Sequence, residues 1–245
     1  MDLRPIAVGV DISLGTARAT EWAVGEANRR SCSIRLTHVI DSADSDVAAR
    51  SSSGLSAEVV GEAMLGICRS LAQRLEPRAQ VETALRHGVP ADALVEESSD
   101  AQLLVVGANG VAGYARSALG SVAHRVAIRA ACPVVVVSSR ALTERPRLIV
   151  VGVEEGRPDA VAIERYADAA AAATGAHLQR VDVSDHSEGA SALLAAAARA
   201  DLVVLGARRT DEPFSTRLGG VTAGVLPLAE CPVVLVATSN DSGGG

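Results

Sequence analysis

The sequence predicts an α/β protein made of two tandem, open, mostly parallel α/β sandwich domains. Three observations carry this. Short apolar runs such as LLVV (103–106) and VVVV (134–137) alternate with longer segments of helical period, the pattern of repeated βα units. Runs apolar at every position suit strands covered by helices on both faces. The segment GANGVAGYARSALGSVAHRVAIRAACPVVVV, starting at Gly107, is written again from Gly206 as GARRTDEPFSTRLGGVTAGVLPLAECPVVLV, without a gap at an offset of 99 (206 − 107 = 99). A polar, proline-terminated stretch at 139–146 separates the two series. Expected boundaries are therefore 1–140 and 147–238, with 239–245 as a flexible Gly-rich tail.

In the first half, strands are predicted near 6–10, 33–40, 80–86, 103–107 and 134–137, each an apolar run bounded by charged or turn-forming residues. Helices are predicted near 16–29, 55–75, 90–98 and 121–129; Pro90 suits a first helical position, and Ser121 opens the last of them. The second half repeats a strand at 148–153, a helix at 158–173 and a strand at 177–183. A helix at 189–199, a strand at 202–206, a helix at 220–229 and a strand at 233–236 complete it. Between its second strand and the strand at 202–206 there is room for one helix only, where the first half has a helix, a strand and a further helix. One α/β unit is missing, leaving about five strands in the first domain and about four in the second.

Composition narrows the function. A formal net charge of −6 with no long basic run argues against a nucleic-acid binder, and aromatic residues at 2% leave few stacking platforms. No apolar run approaches the roughly 20 residues that span a bilayer. MDLRPIAVGVD enters a strand directly rather than through a cleavable signal, so no membrane and a cytoplasmic location are expected. Cys32, Cys68, Cys132 and Cys231 have no CxxC spacing, which suggests small buried apolar residues rather than a metal or redox motif.

The chemistry concentrates at the first copy of the repeat. Gly107 closes an apolar strand, Gly110 sits in the following turn, and Gly120 with Ser121 opens the next helix. Glycines let backbone approach a ligand closely, and helix N-terminal amides face anions. This is neither a Walker A loop nor GxGxxG. In the second copy Arg209 stands opposite Gly110 and Gly220 opposite Ser121, so the cradle is expected in the first half alone.

The pattern GxxG, nine residues, then GS resembles the universal stress protein family, in its tandem-domain form, over residues 3–138 and less completely 147–237. The resemblance implies a Rossmann-like fold of the adenine nucleotide alpha-hydrolase-like kind, with ATP, with or without Mg2+, beside the first strand. Gly107, Gly110, Gly120, Ser121 and Val122 would then contact phosphates and ribose. Asp11, after AVGV, stands where the family directs an aspartate at the adenosine, and Val39 would line the adenine through its backbone. On the residues alone, Asp11 is also open to reading as a helix cap, the lesser alternative to the ligand role. Ile12 departs from the glycine that commonly follows in the family. Glu154 replaces the aspartate in the second half, which is expected to hold no nucleotide. The resemblance further implies an internal pseudo-dimer through the two last strands, with pairing of whole chains left open and any protein partner unspecified. No catalytic residue or metal ligand is expected: GANGVAGYARSALGS lacks an acidic residue, so slow ATP hydrolysis is disfavoured and a nucleotide-free interaction module is the alternative.

Overall fold

A computed structural model of the chain describes residues 4–41, 55–109, 119–138, 146–157, 160–208 and 218–238. The first half runs β1 (Ile6–Val10), α1 (Leu14–Arg30), β2 (Ile34–Ile40), α2 (Ala57–Leu75), β3 (Val81–His87), α3 (Pro90–Glu97), β4 (Leu103–Gly107), α4 (Ser121–Arg129) and β5 (Val134–Val137). The second runs β6 (Leu148–Val153), α5 (Ala160–Thr174), β7 (His177–Asp182), α6 (His186–Ala197), β8 (Leu202–Arg208), α7 (Gly220–Val225) and β9 (Val233–Thr238).

The described strands form one sheet of order β3-β2-β1-β4-β5-β9-β8-β6-β7. Every neighbouring pair is parallel except β5 with β9, which is antiparallel, with Val135 opposite Val234. The α/β architecture with a mostly parallel sheet thus agrees with the sequence reading. The two halves meet through their last strands, which run in opposite directions.

Strand alternation sends side chains to two cores. On one face Val8, Leu36, Val105, Val135, Val151 and Val234 pack beneath α1, α2 and α5. On the other, Leu104, Val106, Val136, Val203 and Leu235 pack beneath α3, α4, α6 and α7. Each core runs without a break from one half into the other. On the first face, Arg30 at the end of α1 reaches the Tyr166 hydroxyl of α5 at 3.3 Å, and its guanidinium lies 5.9 Å from the ring centroid. Burial, with Glu26 nearby, pushes the Tyr166 hydroxyl well above its ordinary pKa, so it stays neutral.

The strand ladders align the halves residue by residue. Ile6 pairs with Ile34 and Leu103, as Ile149 pairs with Leu178 and Leu202. Counting from these registers, Leu36 of β2 corresponds to Arg180 of β7. Leu36 is fully buried beneath α2. No counterpart of α2 or β3 lies between β7 and α6, which are separated by residues 183–185 alone. There the leucine has become an arginine that reaches across to α5, 2.8 Å from Asp168 and 3.5 Å from Glu164. The face left bare by the missing unit is a charged surface rather than an exposed core.

Candidate functional site

In the first half the chain order of the strands reverses between β1 and β4: β1 is followed on one side by β2 and β3, and on the other by β4 and β5. At such a switch point the connections leave in opposite directions, opening a crevice at the carboxyl ends of the two strands. Asp11 follows β1 at one lip of this crevice, and Gly107 ends β4 at the other.

Asp11 is tied into the first turn of α1. Its Oδ1 accepts the Ser13 N–H at 2.9 Å and the hydroxyls of Ser13 and Thr16, the latter at 2.6 Å. The Thr16 hydroxyl oxygen in turn accepts the Asp11 N–H at 2.9 Å, closing a ring between the two residues. Thr16 is buried, and its carbonyl accepts the Thr20 hydroxyl at 2.9 Å, continuing the polar chain into the helix. The N-cap residue is Ser13, whose side chain makes no capping bond; Asp11 anchors the turn from two residues before it. Oδ2 of Asp11 has no hydrogen-bond partner among the described residues. Ile12 is 56% exposed and packs in neither core.

Gly107 is glycine for a reason visible within the chain. A Cβ there would lie 3.3 Å from both Cα and the carbonyl carbon of Gly15, and a Cβ on Gly15 would lie 3.4 Å from Gly107 Cα. The first turn of α1 therefore rests directly on the end of β4, an approach that two facing glycines make without crowding. Gly120 is the N-cap of α4 at φ −61° and ψ 148°, and no side chain caps it. Its own N–H donates to the Ala108 carbonyl at 2.8 Å, and the Ala108 N–H donates to Val137 at 2.8 Å, so the start of α4 is held just beyond β4. The first amides of α4, at Ser121 and Val122, have no intrahelical acceptor. Ser121 is exposed and Val122 half-buried. Gly110 lies outside the described residues, as does Arg209.

Val39 is buried on β2, with its side chain in the sheet packing. His38 next to it is structural: Nδ1 sits 2.8 Å from the Val10 carbonyl, an acceptor that assigns the proton to Nδ1. Its ring fills the space that Gly61 leaves on α2, where a Cβ would come within 2.7 Å of Cδ2. Arg125, together with Arg129, is paired to Asp92 of α3 rather than directed into the crevice. The structure thus places Asp11 and Gly107 at the carboxyl ends of the adjacent strands β1 and β4, with Gly120 and Ser121 held just beyond β4; His38 is engaged by the Val10 carbonyl and Arg125 by a surface ion pair with Asp92. Ser13, Gly15 and Thr16 are passed over in the sequence reading. Hydroxyls two and five residues after an aspartate at a helix start were the available signal.

The second half has the same outline with different contents. Gly219 caps α7 at φ −54° and ψ 149°, closely matching Gly120. Thr222, where α4 carries Ala123, donates its hydroxyl to the Gly206 carbonyl at 3.0 Å and ties helix to strand. Glu154, in the place of Asp11, forms an ion pair with Arg157 at 3.5 Å. Among the described residues no group of three His, Cys, Asp or Glu side chains could hold a metal ion, and no helix is long and apolar enough to cross a membrane.

Fold and crevice define a tandem, doubly wound α/β protein whose two halves share one sheet. The model of the universal stress protein family matches residues 3–138 and again 152–237, and the chain belongs to that family as a tandem-domain member. Universal stress protein Rv2624c of Mycobacterium tuberculosis is 34% identical over 176 residues, covering 67% of this chain and 60% of the relative. A further universal stress protein, from Mycolicibacterium smegmatis, is 36% identical over 137 residues, 56% of this chain and 46% of the relative. The chain thus spans about half to 60% of the length of these relatives. The crystal structure of a universal stress protein from Archaeoglobus fulgidus superimposes with a TM-score of 0.74 at 16% identity, covering 97% of this chain and 99% of that one. Its fold is the same along nearly the whole chain.

Proposed function

We infer that the first half binds an adenine nucleotide, ATP in the first instance, in the crevice between β1 and β4, and that occupancy makes the protein a nucleotide-responsive regulator. The observation that carries this reading is the uncapped start of α4, held just beyond β4 by the Gly120–Ala108 hydrogen bond, next to the switch point between β1 and β4. Free helix amides suit phosphate, and a carboxylate on the opposite lip suits the donor groups of a nucleoside. Gly107, Gly110, Gly120, Ser121 and Val122 would hold phosphates and ribose, with Asp11 and the backbone of Val39 on the nucleoside. Mg2+ would accompany the phosphates rather than occupy a protein site of its own. The second half, with Glu154 paired to Arg157 and Thr222 drawn onto Gly206, acts as a structural companion without nucleotide.

Calorimetric titration with ATP tests the reading. One site per chain is expected, abolished by Gly110→Arg, which copies the second repeat. Absence of heat with the unaltered protein would overturn it; a stoichiometry of two would overturn the empty second half.

A further inference from the structure

The hydroxyl of Thr16 occupies a position from which it governs the orientation of Asp11. It holds the aspartate at two points, accepting its N–H and donating to Oδ1. Ser13 adds two donors to the same oxygen. With Oδ1 accepting three hydrogen bonds, the carboxylate cannot rotate without breaking them, and Oδ2 is left as a single fixed acceptor. Gly15, between these two residues, seats the turn against Gly107. The carboxylate's orientation and the first glycine of the crevice are therefore set by one turn of helix.

The duplicated half supplies an internal comparison. Counted without a gap from the β1–β6 register, Asp11, Ser13, Gly15 and Thr16 correspond to Glu154, Gly156, Pro158 and Asp159; counted from the β2–β7 register, which is one residue out of step, they correspond to Glu155, Arg157, Asp159 and Ala160. The aspartate, both hydroxyls and the glycine have all been replaced, whereas Gly107 keeps its counterpart Gly206. A capping turn required by the fold alone would have survived, since α5 still follows β6.

We propose that Thr16 is a positioning residue of the nucleotide site: it fixes Asp11 so that Oδ2 alone accepts a hydrogen bond from the nucleoside. This rests on the nucleotide reading above. The ligand group it recognises is a hydroxyl or amino donor, and a single, immobile acceptor on that lip also disfavours a phosphate turned the wrong way round.

A double-mutant cycle on ATP affinity, using Asp11→Ala and Thr16→Val in the full chain, tests this. Valine matches threonine in shape and removes only the hydroxyl, and Thr16→Ser restores it. About a ten- to hundredfold loss of affinity is expected for each single variant, the range for a hydrogen bond to a charged group. The double variant should be no weaker than Asp11→Ala alone, because Thr16 acts only through Asp11. Thr16→Ser should stay within about threefold of the unaltered protein. Titrations of the unaltered protein and Asp11→Ala with 2′-deoxyATP and inosine triphosphate identify the donor: whichever analogue no longer responds to Asp11→Ala lacks it. An unchanged affinity in Thr16→Val, or losses that multiply in the double variant, would overturn the positioning role while leaving the nucleotide site standing. No ATP binding by the unaltered protein would overturn both.

Discussion

Gly107 carries two demands at once, and only one of them concerns a ligand. A Cβ on it would meet the Gly15 backbone at 3.3 Å, so a side chain there requires α1 to give by a few tenths of an ångström. Gly107→Ala and Gly15→Ala should therefore each destabilise the protein by about 1–3 kcal/mol, the usual range for forcing extra carbon into a packed site. Urea unfolding without nucleotide measures this. If either alanine is neutral there, the glycine serves the ligand alone. The same distinction explains what was legible in the sequence at this scale. Glycine spacing pointed to the crevice because glycines cluster where backbones meet. It could not say whether the second backbone belongs to a ligand or to a neighbouring helix, since Gly15 is distant in sequence from Gly107 and signals nothing by itself. The partner of His38, the Val10 carbonyl, likewise emerges only from the β1–β2 register.

At the scale of elements, the alternation of strand and helix was legible nearly throughout, because apolar runs of strand length and amphipathic helical segments differ in period. The ends were less so. The last helix, expected over 220–229, closes as α-helix at Val225, and 226–228 form a turn around Pro227, which has no N–H to continue the helix. The missing α/β unit was visible as a shortened spacing. Its consequence for β7 was not, because an arginine in a strand reads as ordinary surface until the strand registers put it at the position that Leu36 holds in the first half. The structure makes that arginine a replacement for a lost helix. Arg180→Leu should accordingly return an apolar side chain to a face with nothing to cover it. The expected result is little change in unfolding free energy, about 1 kcal/mol or less as befits an exposed ion pair, together with a rise in self-association measured by light scattering. A fully monodisperse Arg180→Leu protein would contradict this account of the bare face.

For the molecule as a whole, the continuous cores predict how it comes apart. Val135 and Val234 lie opposite each other at the seam, both fully buried, and their neighbours in each core come from both halves. Calorimetry should therefore show a single cooperative transition. Val135→Ala and Val234→Ala should each lower it by about 1–3 kcal/mol in stability, as a buried large-to-small substitution does. Two resolved transitions would mean that the halves fold as separate bodies despite their shared sheet.

The antiparallel seam has one further consequence. Two separate chains joined edge to edge in this way would be held by mass action, and dilution would part them. Here a covalent link keeps the two strands at a fixed effective concentration. Closing the seam is a first-order event, indifferent to how much of the protein a cell contains, and the edges it consumes are no longer on offer to any other copy.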